Sequence, residues 1–482
     1  MAGTITLPVA MPALVTASPL ARRYEALLMS SFPSLPRLRE PDSWGLTGGP
    51  MNELAWQSRW FAGDFGRGFT TTDGRTVEII QLGWWNHGAG PDFRDCAVSI
   101  DGKVSRGSIE LDCEARDWEK HGHAENPIYE DVVLHLFLRA PETECFTRTL
   151  SHRQVAQVKI IPPESVTPTL LCQPAAKPGR CSGTLAQWSD ERITSLLTAA
   201  ARFRLELKSA RWQRIAQAHG WEQAIFQGLA EALGYSQNRL PMTILAQRFP
   251  LQQLQKHPRD REAWLFGAAG YLDGFAFDLA DAQTKSYLRS LWEVWWKYRA
   301  ERLPDASRPL PTWQASGTRP VNHPQRRIAA LSAIVNQWPR LRAYLKPAEA
   351  FVEKDFRAAL ASLSHPYWDH HYTLTSQPQP QRMALLGGSR ITDILANVIY
   401  PWLIPERELL WNSYCRKTAP LDNEKTKRAA LRLFGPRTDL AETHTSSLFQ
   451  QQALLQIYQD FCCCDATDCA ACPFPEQLHQ WA

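Results

Sequence analysis

The sequence predicts an α+β protein: a small N-terminal α/β domain built on a mixed sheet, followed by a mostly α-helical region. Three observations predict it. Residues 62–161 alternate apolar and polar positions between turn dipeptides, which is strand patterning. From Ser189 onward the apolar residues recur at helical spacing. At 482 residues the chain is also too long for one ordinary core.

The elements follow in order. Residues 1–45 read as a flexible N-terminal arm, mildly apolar at first, with three prolines among the first twenty residues and no basic run ahead of them. Residues 46–165 read as the first folded domain. Asn52–Phe61 carries Leu54, Trp56, Trp60 and Phe61 among polar positions and predicts a short helix. Asp73-Gly74 signals a hairpin before a strand over Val77–Leu82. Asp101-Gly102 signals another, between Ala97–Ile100 and Lys103–Cys113. Asp131–Leu138 is almost wholly apolar, as suits a strand covered on both faces. A last strand over Val155–Ile161 ends at Pro162-Pro163. Residues 166–188 read as a linker. Residues 189–482 form the helical region, opening with Ser189 as N-cap of a helix that runs to His219. Further helices are expected near 221–234, 261–271, 281–299, 325–344, 348–363, 390–400, 424–434 and 447–461.

Composition narrows the classes. A 44% hydrophobic fraction with 21% charged residues belongs to a globular chain and excludes disorder as its main state. No segment is apolar for the length a bilayer requires, so a cytoplasmic protein with no membrane partner is expected. Eleven cysteines then imply reduced thiols rather than disulfides. A net charge of +4 neither demands nor excludes DNA or RNA, and it leaves the oligomeric state open. Nineteen tryptophans suit cores, interfaces and base stacking alike.

Several groups carry chemistry. Asp92 stands just before a strand. Glu110 and Asp112, two apart on the next strand, share a face, while Ile109, Leu111 and Cys113 face the core. A solvated edge strand would show the same alternation. His121 and His123, as His-x-His on an extended segment, put two rings on one side, a metal or phosphate contact. His135, inside an apolar strand, reads as a satisfied core histidine. Arg319, Arg326 and Arg327 beside Asn322, on a loop fixed by Pro320 and Pro324, present guanidinium groups to phosphates or line a salt-bridged surface. Arg202, Arg204, Lys208, Arg211 and Arg214 recur through one helix without sharing a tight face. Five cysteines fall within Cys462–Cys472. Cys469 and Cys472 are spaced to bind one metal within a turn, Cys462, Cys463 or Cys464 offers a third thiolate, and Cys415 is the nearest candidate for a fourth. Zinc and an iron–sulfur cluster both fit such a donor set.

Ordered motifs identify a resemblance. Gly90-Pro91-Asp92-Phe93 is followed by Gly107-Ser108-Ile109-Glu110-Leu111, Asp117-Trp118, His121-Gly122-His123, Tyr129 and Leu134-His135. Downstream come Leu233-Gly234-Tyr235 with Asn238, Leu265-Phe266-Gly267 with Gly270, Arg319-Pro320 with Asn322, Pro324 and Arg327, and Cys469 with Cys472. The chain is similar, from about residue 50 onward, to a large uncharacterised bacterial family. Its N-terminal domain resembles the PD-(D/E)xK nuclease core, which places an Asp at the second strand and a Glu on the third. That resemblance implies a metal-dependent nuclease acting on DNA or RNA. Asp92, Glu110 and Asp112 would hold Mg²⁺ or Mn²⁺, Glu53 on the preceding helix would complete the set, and His121 and His123 would assist. It also implies a terminal cysteine group holding a 4Fe–4S cluster or zinc. Asp112 departs from the pattern, for it stands where the nucleases carry Lys. A nuclease fold that has lost catalysis and kept nucleic-acid or protein binding is the main alternative, and a structural protein of a larger assembly is another.

Overall fold

The computed structural model describes residues 18–31, 53–61, 63, 65–86, 90–140, 145–161, 177–235, 237–272, 281–302, 311–315, 319–346, 351–421, 423–462, 469 and 472–481. Seven strands form one mixed sheet: β1 (Gly68–Thr70), β2 (Thr76–Gln81), β3 (Trp84–Trp85), β4 (Phe93–Ile100), β5 (Lys103–Glu114), β6 (Val132–Arg139) and β7 (Ala156–Lys159). The order is β1-β2-β4-β5-β6-β7, with the two-residue β3 on β4. The fold is therefore α+β, a mixed sheet followed by mostly helical chain.

Local chemistry explains the sheet. Asp101 and Gly102 are both left-handed, at φ 48° and 81°. A two-residue turn needs that conformation to pair Ile100 with Lys103 across β4 and β5. Strands β2, β4 and β5 are mutually antiparallel, whereas β6 runs parallel to β5 and β7 parallel to β6. A parallel step needs a crossover. Residues 115–131 supply the one from β5 to β6, and they carry the Asp-Trp and His-Gly-His motifs. Strand β6, flanked on both edges, is the near-continuous apolar run read from the sequence.

The core lies on the sheet face opposite Glu110 and Asp112. Ile109 and Leu111 pack there with Phe93, Val98, Leu134 and Leu136, under Trp60 and Phe61 of the helix Glu53–Phe61. Ile244, from the helix Arg239–Arg248, belongs to the same core. Ser58 and Gln247 exchange buried hydrogen bonds, Ser58 Oγ to Gln247 Oε1 at 2.7 Å and Gln247 Nε2 to the Ser58 carbonyl at 3.2 Å. The helix that carries Glu53 is thus held from above as well as by the sheet.

The chain divides into two compact units. One draws on the described residues of Met1–Leu38, Leu170–Trp212 and Ile399–Ala482, the other on those of Arg39–Thr169 and Gln213–Val398. The sheet accordingly shares its unit with much of the helical chain.

Two segments differ from the sequence reading. Within the expected arm, Pro19–Ser31 is a helix. Ala21, Tyr24 and Leu27 recur every third residue and are buried, and Tyr24 donates to Asp460 at 2.9 Å. Within the expected linker, Cys181–Leu185 is helical and packs against the helices Glu424–Phe434 and Phe474–His479. The Gly179 amide also donates to the Arg432 carbonyl. In both cases contacts made far along the chain order a stretch that has little periodicity of its own. Among the described residues no helix is long and apolar enough to cross a membrane.

Candidate metal centre

The polar face of β5 is buried. Glu110 is 5% exposed and Asp112 1%, which excludes a solvated edge. Asp92 reaches the same place from the start of β4. Its carboxylate accepts from the Leu111 amide at 3.1 Å and from Gln57 Nε2 at 2.8 Å, and its own amide donates to Glu110 Oε2 at 2.9 Å. Gln57 also donates to Glu53 Oε1 at 3.1 Å, which ties Glu53 to Asp92. A bulge between Phe93 and Cys96, with Asp95 left-handed at φ 56°, re-aims this end of β4.

The crossover delivers the imidazoles. Asp117 and Trp118 open a short helix that ends at Lys120, with His121 as its C-cap. Gly122 then turns left-handed at φ 73°, the conformation only glycine takes without cost. His123 begins a 3₁₀ turn. The two rings are therefore gathered by a turn, at 5.5 Å between centroids, and not by the extended segment the sequence suggested. Trp118 fixes the arrangement. Its indole donates to the Arg148 carbonyl at 3.0 Å and its ring meets His123 edge-on. Tyr129 stacks on His123 at 4.0 Å.

These groups converge. His121 Nδ1 lies 3.4 Å from Asp112 Oδ1, and His123 Nε2 lies 3.2 Å from Glu110 Oε1. Ligand atoms of Asp112, His121 and His123 all fall within 4.8 Å of one another. Behind Asp112, His135 Nε2 stands 3.1 Å from Oδ2. Gln157 Nε2 donates to Thr147 Oγ1, whose own proton then faces His135 Nδ1 at 2.6 Å. That chain leaves the ring proton on Nε2, aimed at Asp112. His135 is thus a satisfied core histidine, as the sequence suggested, and it also orients a site carboxylate. The sequence signal was a lone imidazole in the apolar run of β6, level with Glu110 in the register. Gln57 was missed and has no local sequence signal.

Electrostatics point to a cation. Burial, then Glu110 and Glu53, raise the Asp92 carboxyl well above its usual range. Burial and then Asp112 do the same to Glu110, and more mildly to Glu53. Two like charges about 4 Å apart repel by roughly 4 kcal/mol at a typical effective dielectric. A hydrogen bond returns only about 1 kcal/mol. Protons or a cation must neutralise the cluster. Burial lowers His123 below its usual value and keeps the ring neutral, the form that ligates metal. Mixed carboxylate and imidazole donors suit Mn²⁺, Zn²⁺ or Fe²⁺ better than an all-oxygen site would.

A family model described as a protein of unknown function matches residues 53–420. The chain belongs to that family, DUF2851. No curated protein and no solved structure matches it. The span shared with DUF2851 runs from Glu53 through the whole acidic and histidine site and stops before Cys462.

Other expected site residues of the DUF2851 chain lie elsewhere. Arg327 is not presented to phosphates. It is 3% exposed, on the buried first turn of the helix Pro324–Asn336, and donates to the Leu385 and Val321 carbonyls. Burial lowers its guanidinium to about 10. Asn322 accepts from the Tyr235 hydroxyl, and Arg319 is exposed. Arg202 pairs with Glu206 and Glu408, and Arg204 and Lys208 donate to Gln452, so these cations of the basic helix are satisfied internally. Cys463 and Cys464 lie outside the described residues.

Proposed function

We propose that this protein is a cytoplasmic, divalent-metal-dependent phosphodiesterase acting on DNA or RNA. The observation that carries the reading is the convergence of Asp92, Glu110 and Asp112, from two strands, with His121 and His123 from the crossover. The helix Glu53–Phe61, the antiparallel strands β2, β4 and β5, and the parallel β6 run in the order the nuclease resemblance implies. A bound Mg²⁺ or Mn²⁺ supplies a hydroxide nucleophile near neutral pH and charge for the phosphorane-like transition state. Asp112, His121 and His123 would hold it, with Glu110, Asp92 and Glu53 beside them.

The lysine of the nuclease pattern has no counterpart here. Glu110 takes its bonds from the Asp92 amide and His123, and the Lys120 ammonium lies 3.7 Å from Asp117. His121, 42% exposed in its side chain, is the donor best placed to face a scissile phosphate. Activity is therefore expected to be stronger with Mn²⁺, which suits imidazole, than with Mg²⁺. The test is cleavage of labelled single- and double-stranded DNA and RNA with each metal, beside Glu110→Ala. Cleavage that Glu110→Ala abolishes supports the reading. Cleavage that survives in that variant assigns the activity to another site. Mn²⁺ binding without cleavage of any substrate moves the protein to the non-catalytic binding class.

A further inference from the structure

A second group of metal-ligating side chains lies outside the acidic site. The cysteines at the end of the chain were expected to draw a partner from Cys415. Burial and the neighbouring arginines Arg202 and Arg416 define the surroundings of Cys415 instead. The residue that meets them is Cys181, 288 positions before Cys469. The Arg180 amide donates to Cys469 Sγ at 3.2 Å, and the Arg180 guanidinium donates to the Cys472 carbonyl at 3.4 Å and pairs with Glu476. The helix Cys181–Leu185 packs on the helix Phe474–His479, which begins two residues after Cys472.

The segment is held for this contact. A Cβ at Gly179 would come within 2.8 Å of the Arg432 carbonyl oxygen and 3.2 Å of Cys181 Sγ, so the turn that delivers Cys181 tolerates no side chain there. Among the described residues all the cysteines are free.

We infer that Cys181, Cys469 and Cys472 form a second metal centre, a three-thiolate site for a thiophilic ion, zinc or iron. Two thiolates spaced as Cys469 and Cys472 are can share one ion within a single turn, and a third from a distant segment closes the chain on it. The amide donated to Cys469 is the kind of bond that orients a thiolate ligand and spreads its charge. The thiols of Cys181 and Cys472 donate to the Arg432 and Phe461 carbonyls. A metal would replace those protons. Burial first, then the sulfurs of Cys472 and Cys469, push the Cys181 thiol up to about 12, so without a cation it stays protonated and inert. Such a centre would join segments far apart in sequence, as structural zinc sites do in contributing folding energy outright. The inference does not depend on the acidic site, whose donors are oxygen and nitrogen.

The test is elemental analysis and X-ray absorption on the full chain, purified anaerobically without chelator. Zinc or iron is expected, with a sulfur shell near ~2.3 Å, and which element is present separates a zinc site from an iron one. Cys181→Ser should lose most of the metal or one sulfur from the shell, whereas Cys415→Ser should keep both. Neither zinc nor iron in folded wild-type protein overturns the inference, as does a shell of nitrogen and oxygen alone. Wild-type metal and sulfur in Cys181→Ser removes Cys181 from the site. Should Cys181→Ser not fold, alkylation of the wild type read by mass spectrometry decides. Chelator should raise labelling of Cys181, Cys469 and Cys472 together, and labelling of Cys181 that ignores chelator excludes it.

Discussion

Asp112 has both oxygens engaged by imidazoles, Oδ1 by His121 and Oδ2 by His135. His121 sits at the open side, whereas His135 is wholly buried and acts through Asp112. His135 is thus a positioning residue. Groups behind a metal ligand typically tune affinity 10–100-fold. His135→Phe is therefore expected to weaken Mn²⁺ binding by roughly that factor in calorimetry while the far-ultraviolet dichroism stays that of the folded chain. Unchanged affinity would show that Asp112 needs no backing. Asp92→Ala removes a carboxylate outright, and loss of the Mn²⁺ heat is expected. The raised carboxyls give a pH dependence. Asp92, Glu110 and Glu53 hold their protons to higher pH than free carboxyls do, and a metal must displace them. Mn²⁺ affinity should fall as pH drops through that raised range, with protons released on binding. Heats that do not vary with the ionisation enthalpy of the buffer would contradict this.

Strand β5 carries the site because of what stands at its middle. Gly107 faces the neighbouring β6 so closely that a Cβ would sit 2.1 Å from the Asp131 carbonyl oxygen and 2.7 Å from Val133 Cγ1. Gly107→Ala should cost about 1–3 kcal/mol, the usual range for overpacking, read as a lowered urea midpoint. It should also disturb Mn²⁺ binding, because Glu110 and Asp112 lie three and five residues further along the same strand. A variant with wild-type stability would mean that β5 and β6 can part without harm. This element also shows what the sequence could tell. Strand parity placed Glu110 and Asp112 on one face, and the Asp-Gly turns marked the hairpins, because these are local rules of period and φ. The convergence of Asp92 was legible as motif order alone, and its cause, the Leu111 amide and Gln57, is tertiary. The short helices Arg239–Arg248, Leu251–Lys256, Thr438–Thr445 and Phe474–His479 were not read. They are too brief to set a period of their own, and their packing decides them.

At the scale of the whole molecule, the sheet is not self-sufficient. Its core includes Ile244, with Ala218 and Leu240 packed against it, and Gln247 satisfies Ser58. All of these lie beyond the stretch 46–165 that the sequence marks as a domain. That stretch expressed alone is expected to lack a cooperative thermal transition, and a sharp melt would refute the dependence. His219 ends the long helix Asp190–His219 and ties it to the helix Glu53–Phe61. Its Nε2 stands 2.9 Å from the Phe61 carbonyl, and its ring stacks on Phe61 at 4.2 Å. A carbonyl only accepts, so Nε2 bears the proton, and the neutral ring suffices. Burial first, with a smaller push from Arg67, lowers the His219 pKa below its ordinary value. In the unfolded chain the ring titrates near ~6.5. The unfolded state therefore binds the proton first as pH falls, and the His219 contribution is full above that value and lost progressively below it. The raised carboxyls of the metal site act in the opposite sense, since the folded state takes their protons more readily. Wild-type stability alone would mix the two. His219→Gln keeps an N–H donor and removes the titration. The difference in urea-unfolding free energy between wild type and His219→Gln, measured from pH 7.5 to 5.5, should move against wild type as pH falls. A difference that stays constant across that range would show that His219 does not titrate on unfolding.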